Sequence, residues 1–199
     1  METLLQDNPF VASADAYDGW FDRHHDLFQQ QIAFIRPFLT QGSGLILEVG
    51  CGSGQFSVAL GIPYGIDLSL PLCKKAYQRG IGIIRGDGEL LPIQTEAVSQ
   101  VFLITVLEFV HDPDNVLYEV HRVLLRGGSL IVVSLDSEHE PGAYHQKEHT
   151  SSTFLSKAHF FSQSDLICRI KKAGYQIRGI RRAAGLLLVS SSKSPDRCS

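Results

Sequence analysis

The sequence predicts an α/β fold in which a mostly parallel sheet is flanked by helices. Two patterns carry that prediction. Leu45-Ile46-Leu47-Glu48-Val49 is an apolar run with one acid that leads directly into Gly50-x-Gly52-x-Gly54, and Phe56 to Leu60 can start a helix behind the turn. From residue 45 onward, short apolar runs alternate with segments of helical period, the order expected of βαβ units.

Residues 13–40 place Phe21, Leu27, Phe28, Ile32, Ile35 and Leu39 near helical spacing, with a stop near Gly42. This predicts one or two amphipathic helices, an N-terminal cap over residues 1–40 of the same domain. Its aromatic residues Tyr17, Trp20 and Phe21 either pack on the sheet or cap the site. The chain then reads as strand 45–49, helix 55–60, strand 63–67, helix 70–79, strand 81–86, strand 100–106, helix 113–125 and strand 128–135. Helix 113–125 has Asp112 as N-cap, Pro113 at the first position, core-facing Val116, Val120 and Val123, and a stop at Gly127-Gly128.

Residues 136–159 are polar, contain Pro141-Gly142 and read as an insertion, a substrate lid more than a metal site. Ser162 or Ser164 can cap a helix running to about Ala173 and ended by Gly174. Residues 175–181 and 186–191 are expected to be strands joined by Arg182-Ala183-Ala184-Gly185. The core is thus expected over 41–191, with 192–199 as a disordered tail.

Composition narrows the function. The 199 residues, 44% hydrophobic and 20% charged, suit one domain with a sizeable core. A formal net charge of −3 offers no footprint for nucleic acid, and the pairs Lys74-Lys75 and Arg181-Arg182 read as solvated faces. No apolar run approaches the roughly 20 residues of a membrane span, and METLLQDNPF lacks the basic and apolar regions of a leader. A soluble, cytoplasmic protein is expected. Cys51, Cys73, Cys168 and Cys198 form no CxxC pair, so neither a zinc site nor a disulfide framework is expected. His139, His145, His149 and His159 lack a matching carboxylate or cysteine pattern, and no metal is assigned.

A glycine-rich turn after the first strand raises a dinucleotide first, but Gly50-x-Gly52-x-Gly54 is one residue short of G-x-G-x-x-G. Three acids point elsewhere. Glu48 precedes the turn, Asp67 ends the second strand and Asp87 the third, so parallel strands would bring all three to one sheet edge. Asp67 can accept both hydroxyls of a ribose, and Asp87 can accept an exocyclic adenine amine. The expected ligand is a nucleoside.

On these residues the chain resembles the class I S-adenosylmethionine-dependent methyltransferases, in particular the small-molecule group that includes ubiquinone and menaquinone biosynthesis enzymes. The resemblance covers most of the chain. It rests on EVGCGSGQ, GIDLS, GDGELLPI, VFLITVLEFVHDPDNVLYEVHRVLLRGGSLIV and FFSQSDLICRIKKAGYQI taken together. It implies a Rossmann-like sheet of seven strands with the last antiparallel, and S-adenosyl-L-methionine as cofactor. By the same resemblance the Gly50, Cys51 and Gly52 backbone would contact the methionine half, with Glu48 orienting its amino end. Asp67 would hold the ribose with Leu68 beside the adenine, Asp87 and the Gly88 N–H would read the adenine edge, and Thr105 would sit near the methionine moiety. The chain departs from the pattern at Ser99-Gln100, where many relatives have an acid, and at Phe109, where many have His. Its first crossover is also short, with only the residues between Gly54 and Pro63 to form the helix.

Methyl transfer from a sulfonium needs alignment and exclusion of water, with an acid or base optional. Tyr17 is the preferred aromatic contact to the sulfonium. His111, just past the fourth strand, is the best-placed base for an acceptor that must lose a proton, and Glu108 is a lesser candidate. The function expected is methyl transfer to a small-molecule acceptor, with no nucleic-acid partner. The alternatives are a cofactor-binding partner protein without turnover and a nicotinamide oxidoreductase.

Overall fold

The computed structural model describes residues 10, 13–40, 42, 44–138 and 155–194. The strands are β1 (Ile46–Val49), β2 (Tyr64–Asp67), β3 (Gly82–Arg85), β4 (Val98–Ile104), β5 (Leu124–Leu135), β6 (Tyr175–Ala183) and β7 (Leu186–Lys193). They form one sheet in the order β3-β2-β1-β4-β5-β7-β6. β1 to β5 pair in parallel, and β7 runs antiparallel between β5 and β6. The seven-stranded sheet with an antiparallel last strand is therefore the observed fold. Strand order reverses between β1 and β4, which opens a crevice beyond their C-terminal ends.

Among the described residues the α-helices are α1 (Ala14–Arg23), α2 (His25–Ile35), α3 (Gln55–Leu60), α4 (Leu70–Gln78), α5 (Pro113–Val123) and α6 (Gln163–Lys172). The sheet is buried on both faces because its central strands are apolar in both registers. On β4, Val101 and Leu103 join a core with Val116, Leu117, Val120 and Val123 of α5 and with Leu166 and Ile170 of α6. The alternate residues Phe102 and Ile104 join a second core with Phe21, Phe28 and Ile32 of the cap and with Phe56 and Leu60 of α3. Asp112 caps α5 by accepting the Asn115 N–H at 3.1 Å, and Ser162 caps α6 by accepting that of Asp165 at 3.1 Å.

Several boundaries differ from the sequence reading. The helix expected over 113–125 ends at Val123, and the strand expected from 128 begins at Leu124. Gly127 and Gly128 do not stop the helix. They lie where the β4–β5 register slips, and a Cβ on Gly128 would approach the Leu125 and Ser99 carbonyl oxygens to 2.8 and 3.1 Å. The fourth strand covers 98–104 instead of 100–106, because Thr105 turns out of it at φ 50°. The expected tail at 192 starts too early: Ser192 and Lys193 pair within β7, and the Ser194 N–H donates to the Gly174 carbonyl at 3.1 Å.

His139, His145 and His149 lie outside the described residues. Among the described residues, no group of three His, Cys, Asp or Glu side chains is placed to hold a metal ion, and no helix is long and apolar enough to cross a membrane.

Candidate functional site

The crevice floor is the turn after β1. The Gly50 and Cys51 N–H groups both donate to the Ile66 carbonyl, at 2.7 and 3.1 Å, which hangs the turn on β2. Gly50, Gly52 and Gly54 all take positive φ, and Gly54 leads into α3. Side chains are excluded for a second reason. A Cβ on Gly50 would come within 2.5 Å of Val106, and one on Gly52 within 2.9 Å of the Tyr17 hydroxyl. Bare backbone therefore faces the crevice between β1, β4 and the cap. Cys51 is buried and fits against Gly65, where a Cβ would lie 2.5 Å from its sulfur.

Asp67 joins this turn to β2. Its Oδ2 accepts the Gly52 N–H at 2.8 Å and its Oδ1 the Ser69 N–H at 2.8 Å. Burial raises its pKa, and these two N–H donors oppose the rise. Each oxygen has a further lone pair, so the carboxylate retains capacity for a diol. Leu68 follows it and is partly exposed.

Glu48 lies beneath the turn, not on its open lip. It is 1% exposed and accepts a hydrogen bond from the Ser57 hydroxyl of α3. Burial, with the nearby Asp67 charge, pushes its carboxyl up to about 8. It is therefore mainly protonated at neutral pH.

The third acid is exposed. Asp87 Oδ1 accepts the Glu89 N–H at 2.9 Å, and Gly88 sits so close to β1 that a Cβ would lie 3.2 Å from Val49. Glu89 ties this loop to the start of α5. Its carboxylate accepts the Asp112 N–H at 2.8 Å, and its carbonyl accepts from the Asn115 side chain at 2.7 Å.

At the end of β4, Thr105 is held at φ 50° by its N–H bond to the Val133 carbonyl at 2.7 Å. A β-branched residue in that region is strained, and such strain concentrates at functional sites. Glu108 is buried on the α5 and α6 side. Its Oε1 accepts the Ser134 hydroxyl at 2.6 Å and the Leu135 N–H at 2.8 Å, which ties the loop after β4 to the end of β5. His111 is exposed on the same loop.

The cap divides its aromatic residues between two jobs. Phe21 packs edge to face on Phe28 and Phe56 at 5.0 and 5.9 Å, and Trp20 stacks on His24 at 4.6 Å, so both serve packing. Tyr17 alone of the three lies over the glycine turn. Burial raises its phenol above the ordinary range, with Asp67 and Glu48 adding to the rise, so it remains a neutral donor. Phe10 completes the wall. Its ring meets Tyr17 and Phe109 edge to face at 5.5 and 5.0 Å, and its carbonyl accepts the Ser69 hydroxyl at 2.9 Å. The sequence reading missed Phe10, Asp18, Ser69 and Glu89. Only Ser69 carried a signal, as a cap residue directly before Leu70-Pro71.

The fold and crevice define a Rossmann-like cofactor-binding protein. A turn that admits no side chain at Gly50 or Gly52, with buried acids beside it, fits a nucleoside carrying a cationic group better than a pyrophosphate. Comparison with known proteins agrees. Residues 47–132 match the family model described as a methyltransferase domain. An uncharacterized protein of Methanocaldococcus jannaschii is 33% identical over 169 residues, covering 85% of this chain and 82% of that protein. The crystal structure of a SAM-dependent methyltransferase from Thermotoga maritima, described as a possible histamine N-methyltransferase, superposes with a TM-score of 0.85. It is 26% identical and covers 93% of this chain and 98% of that one. The ubiquinone/menaquinone biosynthesis C-methyltransferase of Syntrophotalea carbinolica is 24% identical over 123 residues, and the match spans 56% of this chain but only 52% of that protein. The chain belongs to the class I S-adenosylmethionine-dependent methyltransferases.

Proposed function

We propose that this protein transfers the methyl group of S-adenosylmethionine to a small-molecule acceptor at the C-terminal edge of the sheet, between β1, β4 and the N-terminal cap. The observation that carries this reading is the glycine turn, where side chains are excluded at Gly50 and Gly52 while Asp67 holds the Gly52 N–H. The Gly50, Cys51 and Gly52 backbone binds the methionine half. Glu48 helps orient its amino end from beneath the turn. Asp67 accepts the ribose hydroxyls with Leu68 beside the adenine, and Asp87 with the Gly88 N–H reads the adenine edge. Thr105 borders the methionine half from the β4 side.

When bound, the cofactor supplies a methyl group activated on a sulfonium. What this chain adds is position and shelter. Tyr17 offers a neutral hydroxyl and a π face above the turn, where a cation is stabilised. Phe10, Tyr17 and Phe109 form an apolar wall that keeps water from the line of attack. For an acceptor that must lose a proton, His111 is the base. The small-molecule acceptor is supported by the relative named for ubiquinone and menaquinone biosynthesis.

A thermal-shift comparison of S-adenosylhomocysteine with NAD tests the cofactor, because the ligand that binds the native state raises the melting temperature. A rise with NAD alone refutes the reading. Incubation with labelled S-adenosylmethionine and a panel of phenols, quinones, amines and thiols tests turnover. Binding without transfer to any acceptor would instead favour a partner protein that only holds the cofactor.

A further inference from the structure

Asp18 follows Tyr17 on α1 and is the most heavily bonded acid among the described residues of the cap. Its carboxylate takes a bidentate pair of hydrogen bonds from Arg79 Nη2, at 3.0 and 2.8 Å, and another from the Gln55 amide at 3.1 Å. Lys75 Nζ lies 3.5 Å away. Arg79 also reaches the turn itself, donating through Nη1 to the Ser53 carbonyl at 2.9 Å. One ion pair thus joins the cap, the end of α4 and the glycine turn.

The helix geometry gives this junction a purpose. Successive residues lie about 100° apart around a helix, so Tyr17 and Asp18 face different directions and two fixed points set the rotation of α1. Within α1 only Ala14 and Phe21 are buried. Phe21 anchors the C-terminal half in the aromatic core, whereas the first half has only the small Ala14 in the core, an exposed pair of Asp15 with Lys75 at 2.8 Å, and the half-buried junction at Asp18. Burial acts to raise the Asp18 pKa, yet the hydrogen bonds from Arg79 and Gln55 hold it below the ordinary value, so it is charged at neutral pH.

We propose that Asp18 is a positioning residue for cofactor binding: its ion pair with Arg79 fixes the rotation of α1 at which the Tyr17 hydroxyl lies over Gly52. The inference rests on the cofactor reading above and extends it to the control of access. Releasing this pair lets α1 turn about its Phe21 anchor, which shifts both the wall above the turn and the Trp20 ring packed on Phe21.

The test is a double-mutant cycle on affinity for S-adenosylhomocysteine, measured by calorimetry, with Asp18→Asn, Tyr17→Ala and the double variant. Asp18→Asn keeps the side-chain shape but removes the charge that faces Arg79. The expected result is at least about fivefold weaker binding in Asp18→Asn and no further loss when it is added to Tyr17→Ala. Additive losses would overturn the inference, since Asp18 would then act independently of Tyr17. A second readout needs no ligand. Trp20 is the one tryptophan in the chain and lies on α1, so its quenching by acrylamide reports the seating of that helix. Quenching is expected to rise in Asp18→Asn and to return toward the original value in Asp18→Glu, which restores the charge. Unchanged quenching in Asp18→Asn also overturns the inference. Failure of the unaltered chain to bind S-adenosylhomocysteine would instead overturn the cofactor reading, and the quenching result would still decide whether Asp18 seats α1.

Discussion

The Asp67 carboxylate accepts the Gly52 N–H at 2.8 Å, so the acid at the end of β2 and the middle glycine of the turn after β1 behave as one unit. This bond makes Asp67 both a ligand candidate and a brace for the turn. Replacing Asp67 with Ala removes the charge-assisted contact proposed for the ribose, worth about 1.5–3 kcal/mol, and should weaken S-adenosylmethionine binding roughly 10- to 100-fold. Calorimetry checks this, and unchanged affinity would contradict the ribose assignment. Asp67→Asn should retain more affinity, because its carbonyl oxygen can still accept the Gly52 N–H.

Gly52 separates backbone strain from blocked space. At φ 56°, with Tyr17 2.9 Å from the position of a Cβ, Gly52→Ala meets both penalties. Gly61 has φ 79° but nothing within 4 Å, so Gly61→Ala meets strain alone. Both variants should lose about 1–2 kcal/mol of stability from the left-handed backbone. Only Gly52→Ala should also abolish detectable cofactor binding. Chemical denaturation with parallel ligand titrations distinguishes the two.

Glu48 makes stability depend on pH. Its folded pKa of about 8 lies above the unfolded value of 4.5, so between those values the native state holds a proton that the unfolded chain has lost. Stability from this group is then fully present below about pH 4.5 and is lost as pH rises toward 8, with a slope of at most about 1.4 kcal/mol per pH unit. Glu48→Gln should flatten that decline in urea melts taken from pH 5 to 8. Positive charge on the cofactor would favour the ionised form, so binding at pH 7 should release protons. Calorimetry in buffers of different ionisation enthalpy would detect them.

The β6–β7 hairpin offers a stabilising change. Ala184 and Gly185 both have positive φ, at 52° and 74°, a backbone that suits Gly or Asn better than Ala at the first position. The Ala184 carbonyl also accepts the Gln31 amide at 3.3 Å, which fastens the turn to α2 and survives substitution of the side chain. Ala184→Gly should add about 0.5–1 kcal/mol. For a chain of this size that corresponds to a melting temperature higher by roughly 1–4 °C in a calorimetric scan.

The sequence by itself determined the parallel α/β sheet, its antiparallel last strand by resemblance, the cap at Asp112, and the turn from Gly50 to Gly54, while it left Ser162 and Ser164 as alternatives for the cap of α6. These features are local: each rests on a period, a cap or a backbone angle that a few neighbouring residues specify. Tertiary structure decided what lies across the crevice. That Glu48 is sealed under α3, that Thr105 leaves β4 strained, and that Tyr17 lies over Gly52 while Phe21 joins the core all depend on segments distant in the chain. The pair of Asp18 with Arg79 spans 61 positions and has no local pattern to announce it. A charge in an amphipathic helix reads as solvated until packing shows which cation it meets, and packing alone brought these two beside the glycine turn.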